Sequence, residues 1–224
     1  LRRTASLHGD TLAVRTADDS IRHTWSELLH EVDELAGGLR LLGVERGETV
    51  ALMMGNRPEF HIADMAVVTA GGTPFSIYQT YTPEQIAYLI DDARPKVAIV
   101  SSEYLDVVRQ AQRLSEGLET IIAVDGDSEG CAPWSEVSGS NPDFDAEAAA
   151  ESITTDDVLT LIYTSGTTGP PKGVELTHGN LVPVVTAVAE LVHLEPGDRL
   201  ISWLPAAHIA ERDAHHYIPI VYGA

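Results

Sequence analysis

Basic residues are scarce in this chain. Across 224 residues, 14 Lys and Arg stand against 34 Asp and Glu, a formal net charge of −20. Nonspecific nucleic-acid binding needs clustered Lys and Arg and is argued against. Direct adsorption to anionic lipid is disfavoured for the same reason. Cysteine is limited to Cys131, so neither an intramolecular disulfide nor a cysteine metal cluster can form, and a reducing, cytoplasmic setting is expected. No apolar run approaches the roughly 18 residues that would indicate a transmembrane segment. Internal repeats and coiled-coil heptads are missing too. There is no initiator methionine or signal-peptide pattern at Leu1-Arg-Arg-Thr4, and the last residues fall inside the apolar stretch Tyr217–Tyr222. Both ends read as cuts in a longer chain.

What is present is ordinary for a globular protein. Hydrophobic residues make up 44%, and the length allows a proper core in one or two domains. Helical and strand patterns alternate, which predicts an α/β fold with mostly parallel, doubly wound sheets and flanking helices. Thr24 and Glu27 form a capping box for a helix carrying Leu28, Val32, Leu35, Leu39 and Leu42 on one face, with Gly43 as its stop. Strands are expected at 49–54, 74–78, 96–100, 120–124, 158–162, 173–177 and 199–204. Helices are expected at 58–69, from Pro83 through Ile90, at 103–114, at 178–192 and after Pro205. Between Leu114 and Pro171 there are twelve acidic residues and no Lys or Arg, which reads as a solvated, self-repelling surface. The expected organisation is an α/β subdomain over 1–124, a loosely structured acidic connection over 125–152, and the start of a second α/β unit over 153–224.

Within that last unit, Tyr163-Thr-Ser-Gly-Thr-Thr-Gly-Pro-Pro-Lys-Gly-Val174 follows the apolar run Val158-Leu-Thr-Leu-Ile162. Nine consecutive positions, Thr164 to Lys172, hold three threonines, one serine, two glycines and a lysine. Glycines let backbone N–H groups approach an anion, hydroxyls donate further hydrogen bonds, and the lysine adds charge. The spacing fails the Walker pattern, because Gly166 and Gly169 are three apart and Gly173 comes after the lysine. It fails the dinucleotide fingerprint as well. A polar surface turn is the plainer alternative, since Ser-Gly and Gly-Pro pairs are common turn punctuation. The length of the turn and its apolar flanks favour phosphate binding.

Residues 163–174 resemble, at every position, the phosphate-loop motif of the AMP-forming acyl-activating enzymes. Thr177-His-Gly-Asn-Leu181 follows at the usual distance. Leu204-Pro-Ala-Ala-His-Ile-Ala-Glu-Arg212, Gly55-Asn-Arg-Pro-Glu-Phe60 and Tyr81-Thr-Pro-Glu-Gln-Ile-Ala-Tyr88 are similar to the long-chain fatty acyl-CoA synthetase branch. The chain is thus identified as an N-terminal fragment, a partial N-terminal domain of an acyl-CoA synthetase-like fold. The resemblance implies an ATP-dependent fatty acid–CoA ligase using ATP, Mg2+ and CoA. An amino-acid or aryl-acid adenylation domain is the nearest alternative. A noncatalytic nucleotide-binding module is another.

By that resemblance Thr164, Ser165, Gly166, Thr167, Thr168, Gly169 and Lys172 hold the ATP phosphates, though Lys172 also reads as a surface lysine neutralising a loop. His208 is expected to line the acyl or adenylate pocket without acting as a base, because an ionised carboxylate attacks unaided. Glu211 and Arg212 read as a local structural pair in preference to lining the same cleft, and His215-His216 as too divergent on a helix to share a metal. Glu175 and Ala206 depart from the family's usual residues. The downstream adenine, ribose, hinge and C-terminal lysine blocks are absent, so the fragment alone is expected not to make acyl-CoA. Uncovered strand edges and apolar faces are expected to favour self-association.

Overall fold

A computed structural model describes residues 1–164 and 169–224. A short helix α1 (Arg2–His8) and an antiparallel hairpin, β1 (Leu12–Arg15) and β2 (Arg22–Thr24), lead into α2 (Trp25–Leu41). There follow β3 (Thr49–Met53), α3 (Pro58–Thr69), β4 (Thr73–Ser76), α4 (Pro83–Ala93) and β5 (Val97–Val100). Next come α5 (Leu105–Leu114), β6 (Thr120–Ala123), β7 (Ala132–Pro133), α6 (Trp134–Val137) and α7 (Ala146–Glu151). The chain ends through β8 (Val158–Thr164), β9 (Lys172–Thr177), α8 (His178–Val192), α9 (Ile209–Arg212), a π-helical turn at Asp213–Tyr217 and α10 (Ile218–Tyr222). Among the described residues no helix is long and apolar enough to cross a membrane.

The seven strands β3 to β9 form one sheet in the order β7-β6-β5-β3-β4-β8-β9. Every adjacent pair is parallel except β8 and β9. The inner strands are continuous apolar runs because helices cover both faces. On one face Val50, Leu52, Val97, Ile99 and Ile122 pack under α2 and α3. On the other Ala51, Met53, Phe75, Ala98, Val100 and Ile121 pack under α4 and α5. The alternation along β3 is the period of a strand buried from both sides.

Local sequence sets the helix starts. The Thr24 hydroxyl accepts from the Glu27 amide at 3.3 Å while the Glu27 carboxylate accepts from the Thr24 amide at 2.7 Å. Thr82 and Gln85 repeat this arrangement at α4. Pro58 and Pro83 open their helices, where a missing N–H costs nothing.

One expectation is corrected. Residues 199–204 form no strand. An extended apolar segment needs a neighbour for its backbone, and among the described residues this one pairs in no ladder, leaving Ile201 80% and Trp203 71% exposed. The stretch 125–152 holds β7, α6 and α7. Beyond it β8 pairs with β4 in the same sheet.

Because β3 leads into α3 on one face and β4 into α4 on the other, the two connections diverge at the carboxyl ends of neighbouring strands. Open α/β sheets bind ligands in the crevice such a divergence creates.

Candidate functional site

The hydroxyl-rich segment is the connection between β8 and β9. Thr164 pairs in register with Lys172, and Tyr163 with Gly173. The segment is therefore a hairpin loop at the carboxyl edge of the sheet, beside the divergence of β3 and β4. Thr164, Gly169 and Lys172 are all exposed at this edge. Gly169 has φ +106°, a conformation that a side chain would strain. Ser165, Gly166, Thr167 and Thr168 lie outside the described residues. The roots of the loop thus bring a threonine, a left-handed glycine and a lysine to one open edge, a donor set suited to an anion.

Tyr163 anchors the first root. Its ring is buried against Phe75 with centroids 5.7 Å apart, and its hydroxyl donates to Asp92 at 2.7 Å. Burial, then the hydrogen bond to Asp92 and its charge, push the phenol well above its usual range. A Cβ at Gly173 would come within 3.2 Å of the Tyr163 ring, so glycine lets β9 lie close.

At the same carboxyl edge of the sheet, the motif at 55–60 grips the motif at 204–212. The Asn56 amide donates to Ser202 Oγ at 2.7 Å and to the Leu204 carbonyl at 2.6 Å. Arg57 pairs with Glu59 at 2.8 Å and Asp125 at 2.7 Å, tying the end of β3 to that of β6. Glu211 is buried and accepts from the Leu204 amide at 3.0 Å and from the Ser202 hydroxyl, and it meets His215 Nδ1 at 2.9 Å.

Glu211 and Arg212 do not pair with each other, contrary to expectation. Arg212 turns into the core and meets Asp64 of α3, both side chains being 0% exposed. It also donates to Ser76 Oγ at 2.8 Å and to the Tyr217 hydroxyl at 2.9 Å. Asp64 Oδ1 in turn accepts from the Tyr217 hydroxyl at 3.2 Å and lies 2.9 Å from His216 Nε2. His216 Nδ1 lies 2.8 Å from His61 Nδ1. Burial opposes the Asp64 charge, but Arg212, His216 and the bonds from His216 and Tyr217 outweigh it and hold the carboxyl below its ordinary range. The π-helical turn aims His215 at Glu211 and His216 at Asp64, so adjacent histidines serve separate clusters.

His208 stands exposed beside this network as the N-cap of α9, its Nδ1 accepting from the Ala210 amide at 3.1 Å. Sequence reasoning missed Asn56, His61, Asp64, Tyr88 and Asp92. A lone aspartate in the apolar run Phe60–Thr69 was the available signal for Asp64. The others are set by partners more than 70 residues away. A cavity of about 180 Å3 lies at the opposite edge, near the amino ends of β4 and β8, lined by Arg40, Arg46, Val68, Phe144, Asp157 and His178. It is remote from the loop, and the loop chemistry takes precedence over concavity. Among the described residues no group of three His, Cys, Asp or Glu is placed to hold a metal ion.

Comparison with known proteins adds to this geometry. The family model for AMP-binding enzyme matches residues 1–224. Long-chain-fatty-acid--CoA ligase FadD15 of Mycobacterium bovis is 30% identical over 194 residues, covering 84% of this chain and 32% of that protein. Uncharacterized protein Rv1549 of Mycobacterium tuberculosis is 41% identical over 125 residues, 56% of this chain and 70% of its own length. Among solved structures, the inhibitor-bound N-terminal domain of FACL13 from Mycobacterium tuberculosis superimposes with a TM-score of 0.85 at 26% identity, covering 99% of this chain and 54% of that one. The chain spans about a third of the FadD15 ligase and about half of the FACL13 domain chain.

Proposed function

The chain belongs to the AMP-binding enzyme family, and from that premise we propose that it is the N-terminal part of an ATP-dependent fatty acid–CoA ligase. The observation that carries the reading is the placement of the 163–174 loop as a hairpin at the carboxyl edge, its roots Thr164 and Lys172 side by side. In this reading a carboxylate oxygen of the acid attacks the α-phosphorus of ATP. An acyl–phosphate bond forms, the bond to the bridging oxygen breaks, and pyrophosphate departs with the electron pair. The loop hydroxyls, amides and Lys172 stabilise the charge that grows on the leaving group. The thiol of CoA then displaces AMP.

Mg2+ is usually held by one or two carboxylates together with substrate phosphates. In this reading the ion would neutralise charge on the ATP phosphates that the loop receives. His208 lines the adenylate side in this proposal, and the division at 125–152 marks the passage to the nucleotide-binding portion.

The test is ATP–pyrophosphate exchange with a panel of fatty acids, an aryl acid and amino acids. Exchange is expected with fatty acids when the chain is joined to its downstream sequence, and not with the 224-residue chain alone. Exchange driven by the aryl or amino acids in place of fatty acids would transfer the chain to the adenylation-domain reading. Exchange with none of them would refute the ligase assignment.

A further inference from the structure

Tyr88 and Asp92 stand one helical turn apart on α4 and so share a face. The Tyr88 hydroxyl donates to the carbonyl of Pro171 at 3.0 Å. The Asp92 carboxylate accepts from the hydroxyl of Tyr163 at 2.7 Å. Pro171 immediately precedes β9, and Tyr163 is the penultimate residue of β8. The two bonds therefore fall on opposite roots of the same loop. The helix that makes them is well fixed, because Ile86, Leu89 and Ile90 are buried beneath it and the Thr82–Gln85 box closes its start.

We propose that Tyr88 and Asp92 are positioning residues, a two-point clamp that holds the roots of the phosphate loop in the geometry that receives nucleotide phosphates. The nucleotide part of this rests on the ligase reading above; the clamp itself does not. A clamp on both roots fixes the backbone beside Thr164 and Lys172 before the ligand arrives, and preorganisation of this kind raises affinity by lowering the cost of ordering on binding. Neither residue needs to touch the ligand.

Lys172 is the one Lys or Arg between Arg113 and Arg199, which makes trypsin a clean reporter of the loop. The variants are Tyr88→Phe, which removes only the hydroxyl, Asp92→Ala, which removes the acceptor, and Asp92→Asn, which retains an acceptor oxygen. Cleavage after Lys172 should run roughly fivefold faster in Tyr88→Phe and Asp92→Ala, the factor expected for losing one hydrogen bond. It should return close to the wild-type rate in Asp92→Asn, with cleavage at Arg113 unchanged throughout. ATP should slow cleavage at Lys172, with more ATP needed in Tyr88→Phe. Wild-type cleavage rates in Tyr88→Phe and Asp92→Ala would overturn the clamp. A parallel rise at Arg113 would also overturn it, by showing that the residues stabilise the whole fold instead. Faster cleavage at Lys172 without protection by ATP would leave the clamp standing and remove the nucleotide from the proposal.

Discussion

Replacing Asp64 by Ala tests whether the seam between α3 and the 204–217 segment is sealed from water. Arg212 would keep its buried charge, with Ser76 and Tyr217 as its remaining polar partners. His216 and the Tyr217 hydroxyl would each lose an acceptor. Breaking a buried ion pair by deleting one partner costs about 3–5 kcal/mol, because the other charge is left without compensation. For a chain of this size 1 kcal/mol moves Tm by roughly 2–4 °C, so the expected loss is about 6–20 °C. Urea unfolding followed by tryptophan fluorescence, with a thermal melt beside it, measures both quantities. The double variant Asp64→Leu with Arg212→Met removes both charges and should lose much less than the sum of the two single variants. An Asp64→Ala variant within about 1 kcal/mol of wild type, or a strictly additive double, would show that Arg212 reaches solvent and that the seam is not closed.

The pH dependence of the same seam has a definite sign. Burial, and then the neighbouring His216, push the His61 imidazole down to about 3, with Asp64 opposing. The unfolded chain, with an ordinary value near 6.5, takes up the proton first, so stability falls as pH drops below about 6.5 towards 3. Burial shifts His178 in the same direction, with Asp157 opposing. His61→Gln should therefore flatten, without abolishing, the loss of Tm between about pH 6.5 and 5, a window above the ordinary carboxylate values. An unchanged slope would refute the assignment. A further consequence concerns the uncovered segment with Ile201 80% and Trp203 71% exposed. Light scattering of the isolated chain should show self-association that diminishes in a Trp203→Ser variant. A monomer at high concentration would rule it out.

Several features were legible before any coordinates because their causes are local. The capping box at Thr24, the prolines opening α3 and α4, and the two-sided apolar strands each depend on a few neighbouring residues. The loop at 163–174 was legible as a turn for the same reason, since its glycines, prolines and hydroxyls are gathered in one short stretch. The strand expected at 199–204 failed because a strand is a property of a pair, and its apolar pattern says nothing of whether a partner is present. The pairing expected between Glu211 and Arg212 failed because burial decides an arginine's partner, and the buried carboxylate was Asp64, 148 positions away.

The sequence by itself determined the class of fold, the order of most elements and the position of the loop. Periodicity, capping and turn composition act over distances shorter than one element. Only the tertiary structure decided that β8 and its loop join the same sheet as β3 and β4, that α4 holds both loop roots, and that residues 55–60 grip residues 204–212. These depend on which distant side chains are buried together, where an unpaired charge or hydroxyl costs more than any local preference can supply.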